Sequence, residues 1–232
     1  MALQSRLFFI PNSVTAANIV VGFLSMLAAA DGRFELAVYL LLCAILLDMS
    51  DGLLARKLQV TSKFGQEMDS LSDAMSFCAA PAFLVHQAIL QPLRGVGVAI
   101  TVGYVLAGVF RLARFNLISD EHEKARWTTG LPTPIAAGYL MVVVLMRDRV
   151  PVAGAVTVVL LMTMLMMSRW HLPELKGSGL VSRFLLIGML TFFAVVIWPS
   201  WYTIGVWNGW NVVILLAARA EARRAALTEA SS

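Results

Sequence analysis

The sequence predicts an all-α integral membrane protein, a polytopic helical bundle with about eight transmembrane helices. Of its 232 residues, 59% are hydrophobic and only 14% are charged, and the mean hydropathy is +0.78. A soluble domain is closer to half apolar and one quarter charged. Since one core of this size cannot hide so much apolar surface, the composition excludes a soluble enzyme, a disordered chain and a disulfide-stapled secreted domain.

Eight apolar segments can be assigned as membrane spans, each of which needs about 20 apolar residues to cross a bilayer. The first four are the most regular, and counts of six to eight fit the pattern. We predict a single membrane-embedded domain over 1–232, with a short interfacial segment over 4–10 and a solvated cytoplasmic tail over 217–232. The predicted spans are 13–30, 35–57, 69–91, 96–117, 133–147, 151–168, 180–198 and 203–218.

The distribution of Lys and Arg predicts the orientation of these spans. With a cytoplasmic N-terminus, eight crossings place fourteen of the 18 Lys and Arg residues on the cytoplasmic side. Short cytoplasmic loops normally carry this excess. We therefore expect a multi-pass protein of the cell (inner) membrane with both termini in the cytoplasm. The same distribution explains the formal net charge of +4, so no nucleic-acid partner is expected.

Four aspartates lie where the second predicted span ends and the third begins. Carboxylates in transmembrane segments are costly and are therefore candidates for function. Asp48 and Asp51 are three residues apart, and Asp69 and Asp73 are four apart, so each pair shares one helical face. The loop 57–64 is short enough to make the two helices antiparallel neighbours. We expect the four carboxylates to converge at the cytoplasmic end of this pair.

Carboxylates this close together repel each other unless cations neutralise them, and hard oxygen ligands suit Mg²⁺, Mn²⁺ or Ca²⁺. Gly52 costs about 1 kcal/mol in a helix relative to Ala, which indicates either close approach by a phosphate or tight helix packing. Arg56 suits a phosphate, or else it anchors the helix on the positive side. Together these residues indicate a metal-dependent site for a diphosphate, as in phosphoryl transfer.

Eight of these residues form a motif with fixed gaps, Asp48-x2-Asp51-Gly52-x2-Ala55-Arg56-x8-Gly65-x3-Asp69-x3-Asp73. The motif resembles the signature of the CDP-alcohol phosphatidyltransferase family at every fixed position. The resemblance implies transfer of a phosphatidyl group from a CDP-linked lipid to an alcohol, with release of CMP. It implies two divalent ions, Mg²⁺ or Mn²⁺, held by the four aspartates, with Asp73 as general base. It further implies nucleotide contacts from Gly52 and Arg56, with Ser62 near another such position, a six-helix core and a homodimer.

Three further segments resemble the phosphatidylserine synthase branch of that family. The resemblance then covers about residues 8–140, with Trp127 where the branch often has Phe. It implies CDP-diacylglycerol as donor and L-serine as acceptor. The three segments are Pro11-Asn12-Ser13-Val14-Thr15-Ala16-Ala17-Asn18, Arg111-Leu112-Ala113-Arg114-Phe115-Asn116 and Gly130-Leu131-Pro132-Thr133-Pro134-Ile135-Ala136-Ala137.

Four polar residues in these segments are candidates for substrate contacts. Arg111 and Arg114 share a helical face, and a guanidinium can bind the carboxylate of serine through two hydrogen bonds; alternatively, they are anchors on the positive side. Asn12 and Thr15 could contact CDP-diacylglycerol, or they could cap the first helix.

Two other functions are compatible with the aspartates. The same transfer could use glycerol 3-phosphate, an inositol phosphate or choline, although a phosphorylated acceptor should need a denser basic pocket than Arg111 and Arg114 offer. The aspartates could instead line a divalent-cation transport path. Transport predicts carboxylates spread across the membrane on several helices, whereas all four cluster at one end of one hairpin.

Overall fold

The fold is known from a computed structural model. It describes the backbone at residues 2–58, 60, 62–121, 127–169, 171–173 and 179–230. Side chains are described at residues 9–58, 60, 62–117, 130–169, 186–217 and 219–220.

Nine α-helices lie in these residues, and each predicted span corresponds to one helix or to one chain of helical turns. The third span is such a chain, in which α3 and α4 are each followed by a π turn and a 3-10 turn comes last. The elements are α1 (Ala2–Ala30), α2 (Phe34–Leu58), α3 (Lys63–Asp73), a π turn (Ala74–Ala79), α4 (Ala80–Val85), a second π turn (His86–Leu90), a 3-10 turn (Gln91–Leu93), α5 (Gly95–Glu121), α6 (Thr133–Leu145), α7 (Val152–Met167), α8 (Gly179–Ile197) and α9 (Trp201–Ala230).

The helices confirm the all-α membrane class. Among the described residues, four helical segments are long and apolar enough to cross a bilayer, namely Phe9–Ala30, Phe34–Leu58, Lys63–Leu93 and Gly95–Leu117. Three shorter apolar helices follow, at Thr133–Leu145, Val152–Met167 and Leu186–Ile197. Helix α9 coincides with the eighth predicted span but does not meet these criteria, so eight crossings stay a prediction.

One small strand pair was not predicted. Strand β1 (Trp127–Thr129) pairs in antiparallel fashion with β2 (His171–Pro173), with Thr128 opposite Leu172. Both strands lie between apolar helices, in segments where the sequence indicated only polar loops. The side chain of Trp127 lies outside the described residues, as do those of the predicted tail from 221 onward.

Helix α1 corrects one expectation from the sequence. It begins at Ala2 and continues through Pro11, so residues 4–10 belong to the same helix as the first span, and their interfacial location stays a prediction. A proline removes one backbone donor and strains the preceding turn, and the long packing of α1 along α2 offsets that loss. Asn12 and Thr15 lie well inside the helix, so the alternative that they cap it is wrong.

The third span bends through π turns, the first of which follows directly after Asp73. Pro81 lacks an N–H for the carbonyl of Phe77, four residues earlier. The hydroxyl of Tyr104, a fully buried residue of α5, donates to that carbonyl at 3.2 Å. Helix α5 thus holds the span about one turn beyond the last aspartate, and π turns are frequent at functional sites.

Replacing Tyr104 by Phe should lower the stability of the purified protein by about 1 kcal/mol, the usual net value of one hydrogen bond. Tyr39→Phe is the matched control, because the side chain of Tyr39 is 49% exposed. Thermal unfolding in detergent measures both variants. Equal midpoints for the two would show that the bond from Tyr104 to Phe77 does not stabilise the fold.

Contacts divide the chain into two compact units, residues 1–112 with 132–166 and residues 113–131 with 167–232. In the first, α6 is almost entirely buried and packs against α2 and α4, while α1 packs against α2 and α4. At the N-terminal end of α2, Arg147 pairs with Glu35 at 3.9 Å and lies over the ring of Phe34. The predicted single domain stays a prediction.

The second unit is built mainly on the packing of α8 against α9. The rings of Phe192 and Trp207 lie 5.1 Å apart between their centroids. Gly188 permits close approach, since a Cβ there would meet Ile214 at 2.8 Å and Trp210 at 3.3 Å. Small residues commonly allow this kind of helix contact in membranes.

Candidate active site

The aspartates lie at the C-terminal end of α2 and along α3. Asp48, Asp51 and Asp69 each offer a carboxylate oxygen, and these three atoms lie within 4.8 Å of one another. The side chain of Asp73 is within hydrogen-bonding reach of Asp48. The predicted convergence is therefore observed for three carboxylates, and the fourth adjoins them through Asp48.

The two helices that carry the aspartates are held together mainly by a third. Helix α1 packs against both α2 and α3, whereas α2 and α3 have hardly any close backbone contact with each other. The carboxylates meet in the space between the two backbones. Helices α2 and α3 are thus neighbours, as the short loop predicts, but their packing against α1 sets the distance between them.

The donor set fits a hard divalent cation. Its ligands are carboxylate oxygens from two helices, which are the ligands that Mg²⁺ and Mn²⁺ prefer. Asp51 is buried, and Asp48 and Asp69 are half-buried, so water screens their mutual repulsion poorly. One buried oxygen of Asp73, Oδ1, has no hydrogen-bond partner among the described residues. These features are expected where a cation or a substrate proton completes the cluster.

Thr15 contacts the cluster from α1. Its buried hydroxyl lies 2.7 Å from Oδ2 of Asp51, and the backbone oxygen of Pro11 is the more distant acceptor at 3.1 Å. The sequence indicated Thr15 as a nucleotide contact or a cap, and did not predict this bond. The sequence feature that could have indicated this bond is a threonine inside a predicted span, in a segment with other polar residues.

A seam of small side chains joins α1 to the third span on both sides of the last aspartate. Ser72 donates to the carbonyl of Thr15 at 3.4 Å, and Ser76 donates to the carbonyl of Asn18 at 3.2 Å. A Cβ at Gly22 would collide with the Ser76 hydroxyl, so a larger residue at this position would displace Ser76. These contacts fix the position of Asp73 along the axis of α1.

Gly52 and Arg56 form an open face beside the aspartates. Both residues are exposed, and their spacing of four places them on one side of α2. No described atom lies within 4 Å of a Cβ built at Gly52, so the helix-packing alternative is not supported. The small side chain instead leaves space for a ligand next to a guanidinium.

Ser62 and Asn12 meet at the start of α3. Ser62 is the N-cap of this helix and accepts a hydrogen bond from the Gly65 backbone N–H at 3.0 Å. A Cβ at Gly65 would lie 3.2 Å from Ser62 Oγ and 3.4 Å from Asn12 Oδ1. The tight space explains the glycine, and two predicted substrate residues are brought together at a helix N-terminus, which favours anions.

The family model for CDP-alcohol phosphatidyltransferase matches residues 8–215. The chain belongs to the CDP-alcohol phosphatidyltransferase family. The matched range contains every predicted site residue, and the family uses divalent metals. The aspartate cluster is the group of described residues in this chain that could hold them.

Three relatives of this chain are named as enzymes that act on serine or form a serine lipid. It is 34% identical over 143 residues to CDP-diacylglycerol–serine O-phosphatidyltransferase of Helicobacter pylori, covering 62% of this chain and 60% of the relative. It is 34% identical over 175 residues to archaetidylserine synthase of Methanothermobacter thermautotrophicus (73% and 72%). It is 31% identical over 134 residues to the Bacillus subtilis CDP-diacylglycerol–serine O-phosphatidyltransferase (58% and 74%). The chain thus spans about 60% of the length of its Helicobacter relative.

The two arginines predicted from the sequence to bind the acceptor have different surroundings. Arg111, in the first unit, is 8% exposed and close enough to Asp73 to interact with it electrostatically. Arg114, in the second unit, donates from Nη2 to the Ser168 carbonyl at 3.1 Å. A buried guanidinium beside a carboxylate does not fit a simple surface anchor, so the anchor alternative is disfavoured for Arg111.

Asn18 is a buried polar residue that was not selected from the sequence as a site residue. Its side chain is fully buried, and neither its nitrogen nor its oxygen has a hydrogen-bond partner among the described residues. Leaving such groups unpaired costs roughly 1–3 kcal/mol. Asn18 lies three residues after Thr15, on the same face of α1, and this spacing was the signal that could have found it.

Proposed function

We propose that this phosphatidyltransferase transfers the phosphatidyl group of CDP-diacylglycerol to the hydroxyl of L-serine, giving phosphatidylserine and CMP. The observation that carries the proposal is the convergence of carboxylates beside the open face of Gly52 and Arg56. The serine acceptor is supported by the names of the relatives and by the buried Arg111 next to Asp73.

Asp48, Asp51, Asp69 and Asp73 are proposed to hold two divalent ions, Mg²⁺ or Mn²⁺. When bound, such ions neutralise the charge of the diphosphate and of the departing CMP. The exposed Gly52 lets the diphosphate approach the α2 backbone. Further contacts to CDP-diacylglycerol are assigned to Arg56, Ser62, Asn12 and Thr15.

Asp73 is proposed as the general base. Its buried Oδ1, which has no hydrogen-bond partner in the described part of the chain, accepts the proton of the serine hydroxyl, and the serine oxygen then attacks the phosphorus that carries the diacylglycerol group. The bond from this phosphorus to the CMP oxygen breaks, and CMP leaves. Arg111 is proposed to hold the serine carboxylate, because a guanidinium fork matches a carboxylate in two hydrogen bonds, and the assignment of Arg114 to serine stays a prediction from the sequence.

The proposed setting is the cell (inner) membrane, with both termini and the active site on the cytoplasmic side. The excess of Lys and Arg on that side supports this orientation. The acyl chains of the donor would lie in the bilayer between helices, while serine and CMP exchange with the cytoplasm. A homodimer is proposed from the family resemblance.

The experiment that tests the function measures CMP release by the purified protein in detergent with CDP-diacylglycerol and Mn²⁺ or Mg²⁺. L-serine is compared with glycerol 3-phosphate, inositol phosphate and choline. We expect release that depends on serine and that EDTA abolishes. Release with another alcohol alone would contradict the acceptor, and no release with any of them, by folded protein, would contradict the transferase and favour cation transport.

Gly52→Ala should separate stability from activity. Ala favours a helix over Gly by up to about 1 kcal/mol, and its methyl group meets no described atom within 4 Å, so the unfolding temperature should stay equal or rise. The kcat/KM for CDP-diacylglycerol should fall about 10-fold, because displacing a reacting phosphate by a fraction of an ångström is costly.

Gly103→Ala in α5 is the control, because a Cβ there also meets no described atom within 4 Å. It should show the same change in unfolding temperature with unchanged kcat/KM. Equal kcat/KM values for Gly52→Ala and Gly103→Ala would remove Gly52 from the diphosphate site.

A further inference from the structure

Thr15 links the two helices that carry the aspartates. Its hydroxyl lies 2.7 Å from Oδ2 of Asp51 in α2, and its backbone carbonyl accepts a hydrogen bond from Ser72 in α3. Thr15 and Asp51 are each only 4% exposed, so solvent competes little for this contact. The backbones of α2 and α3 have hardly any close contact with each other. Thr15 of α1 therefore connects Asp51 of α2 with the helix that carries Asp69 and Asp73.

The Thr15 hydroxyl has one proton and two acceptors within reach. The Pro11 carbonyl, 3.1 Å away in the same helix, is a common acceptor for a threonine in a helix. The Asp51 carboxylate is closer, at 2.7 Å, and hydrogen bonds to an ionised acceptor are the stronger ones. The proton therefore goes to Asp51, where it restrains rotation of the carboxylate next to Asp48 and Asp69.

We propose that Thr15 is a positioning residue that orients Asp51 as a metal ligand, in addition to the contact with CDP-diacylglycerol assigned to it above. This inference rests on the metal site of the proposed function. Hydrogen-bond partners of metal ligands typically change metal affinity 10- to 100-fold when they are removed. The role of Thr15 should therefore appear in metal binding before any substrate is present.

The test measures the affinity of the substrate-free protein for Mn²⁺, with free Mn²⁺ followed by electron paramagnetic resonance. Thr15→Val keeps the shape of the side chain but removes the hydroxyl, and it should weaken Mn²⁺ binding at least about 10-fold. Thr15→Ser keeps the hydroxyl and should bind Mn²⁺ within about 3-fold of the wild type, a change smaller than the loss of a hydrogen-bond partner.

Thr101→Val is the matched control. Thr101 is also buried, at 7% exposed, and among the described residues its hydroxyl bonds only to carbonyls of its own helix α5, those of Gly97 and Val98. This variant should bind Mn²⁺ as the wild type does. A similar loss of affinity in Thr101→Val and Thr15→Val would overturn the proposal, because the effect would then be a general one.

Whether Thr15 affects Mn²⁺ binding through Asp51 is tested in an Asp51→Asn background, where Thr15→Val should cause no further loss of Mn²⁺ affinity. Thr15→Ala is a second variant without the hydroxyl, for use if Thr15→Val does not fold. Wild-type affinity in either folded variant overturns the proposal. Asp48→Asn distinguishes failure of the positioning role from failure of the metal site. If Asp48→Asn loses Mn²⁺ binding while Thr15→Val does not, only the positioning role of Thr15 is wrong. If the wild type binds no Mn²⁺, the metal site itself is contradicted.

Discussion

Replacing Asp73 by Asn is expected to reduce serine-dependent CMP release by about 10²- to 10⁴-fold, the range that general bases contribute. Asn has the shape of Asp but cannot accept the serine proton. The site favours a base at this position, because one buried oxygen of Asp73 has no hydrogen-bond partner among the described residues. The initial rate at saturating serine and CDP-diacylglycerol measures the effect, and circular dichroism verifies folding.

Asp31→Asn is the control for this substitution. Asp31 is an exposed residue in the turn between α1 and α2, so its loss should leave the rate unchanged. Mn²⁺ affinity separates the two roles proposed for Asp73, since a variant that has lost only the base still binds Mn²⁺, whereas loss of a metal ligand, as in Asp48→Asn, weakens binding. A folded Asp73→Asn variant with robust activity would show that another group takes the proton.

Replacing Arg111 by Lys is expected to raise the KM for serine about 10- to 100-fold, with little change in the KM for CDP-diacylglycerol. Lysine keeps the charge but loses the planar fork that binds a carboxylate through two hydrogen bonds. Hydrogen bonds to charged groups contribute about 1.5–3 kcal/mol each, which corresponds to this range. Arg111 is buried beside Asp73, where a serine carboxylate would lie close to the reacting hydroxyl.

Arg56→Lys is the complementary variant. Arg56 is exposed on the open face with Gly52, so its replacement should raise the KM for CDP-diacylglycerol and spare that for serine. This crossed pattern distinguishes two substrate subsites from a general electrostatic effect. Parallel changes in both KM values for both variants would contradict the assignment of Arg111 to serine.

The helices and the aspartate faces could be predicted closely. Apolar runs of about 20 residues have few alternatives to a helix in a bilayer, and the predicted span 96–117 lies within α5, Gly95–Glu121. Spacings of three and four put each aspartate pair on one helical face. The convergence of Asp48, Asp51 and Asp69 follows from these local rules together with a short loop.

Less local features could not be predicted. Pro11 ends many helices, but in this chain α1 passes through it while packed against α2. The strand pair β1 and β2 joins segments more than 40 residues apart, and three-residue strands have too little pattern to be recognised. The open surroundings of Gly52 depend on where every other helix lies, so the sequence left two explanations for this glycine.

The sequence by itself thus determined the membrane class, the positions of the helices and the chemistry of four carboxylates with a nearby glycine and arginine. These properties depend on composition and on spacings within one or two turns. Only the tertiary structure decided that Thr15 bonds to Asp51, 36 residues away, that Arg111 lies beside Asp73, and that α1 sets the spacing of α2 and α3. The physical reason is that these contacts depend on how separate helices pack, and helical periodicity within one segment does not specify its neighbours.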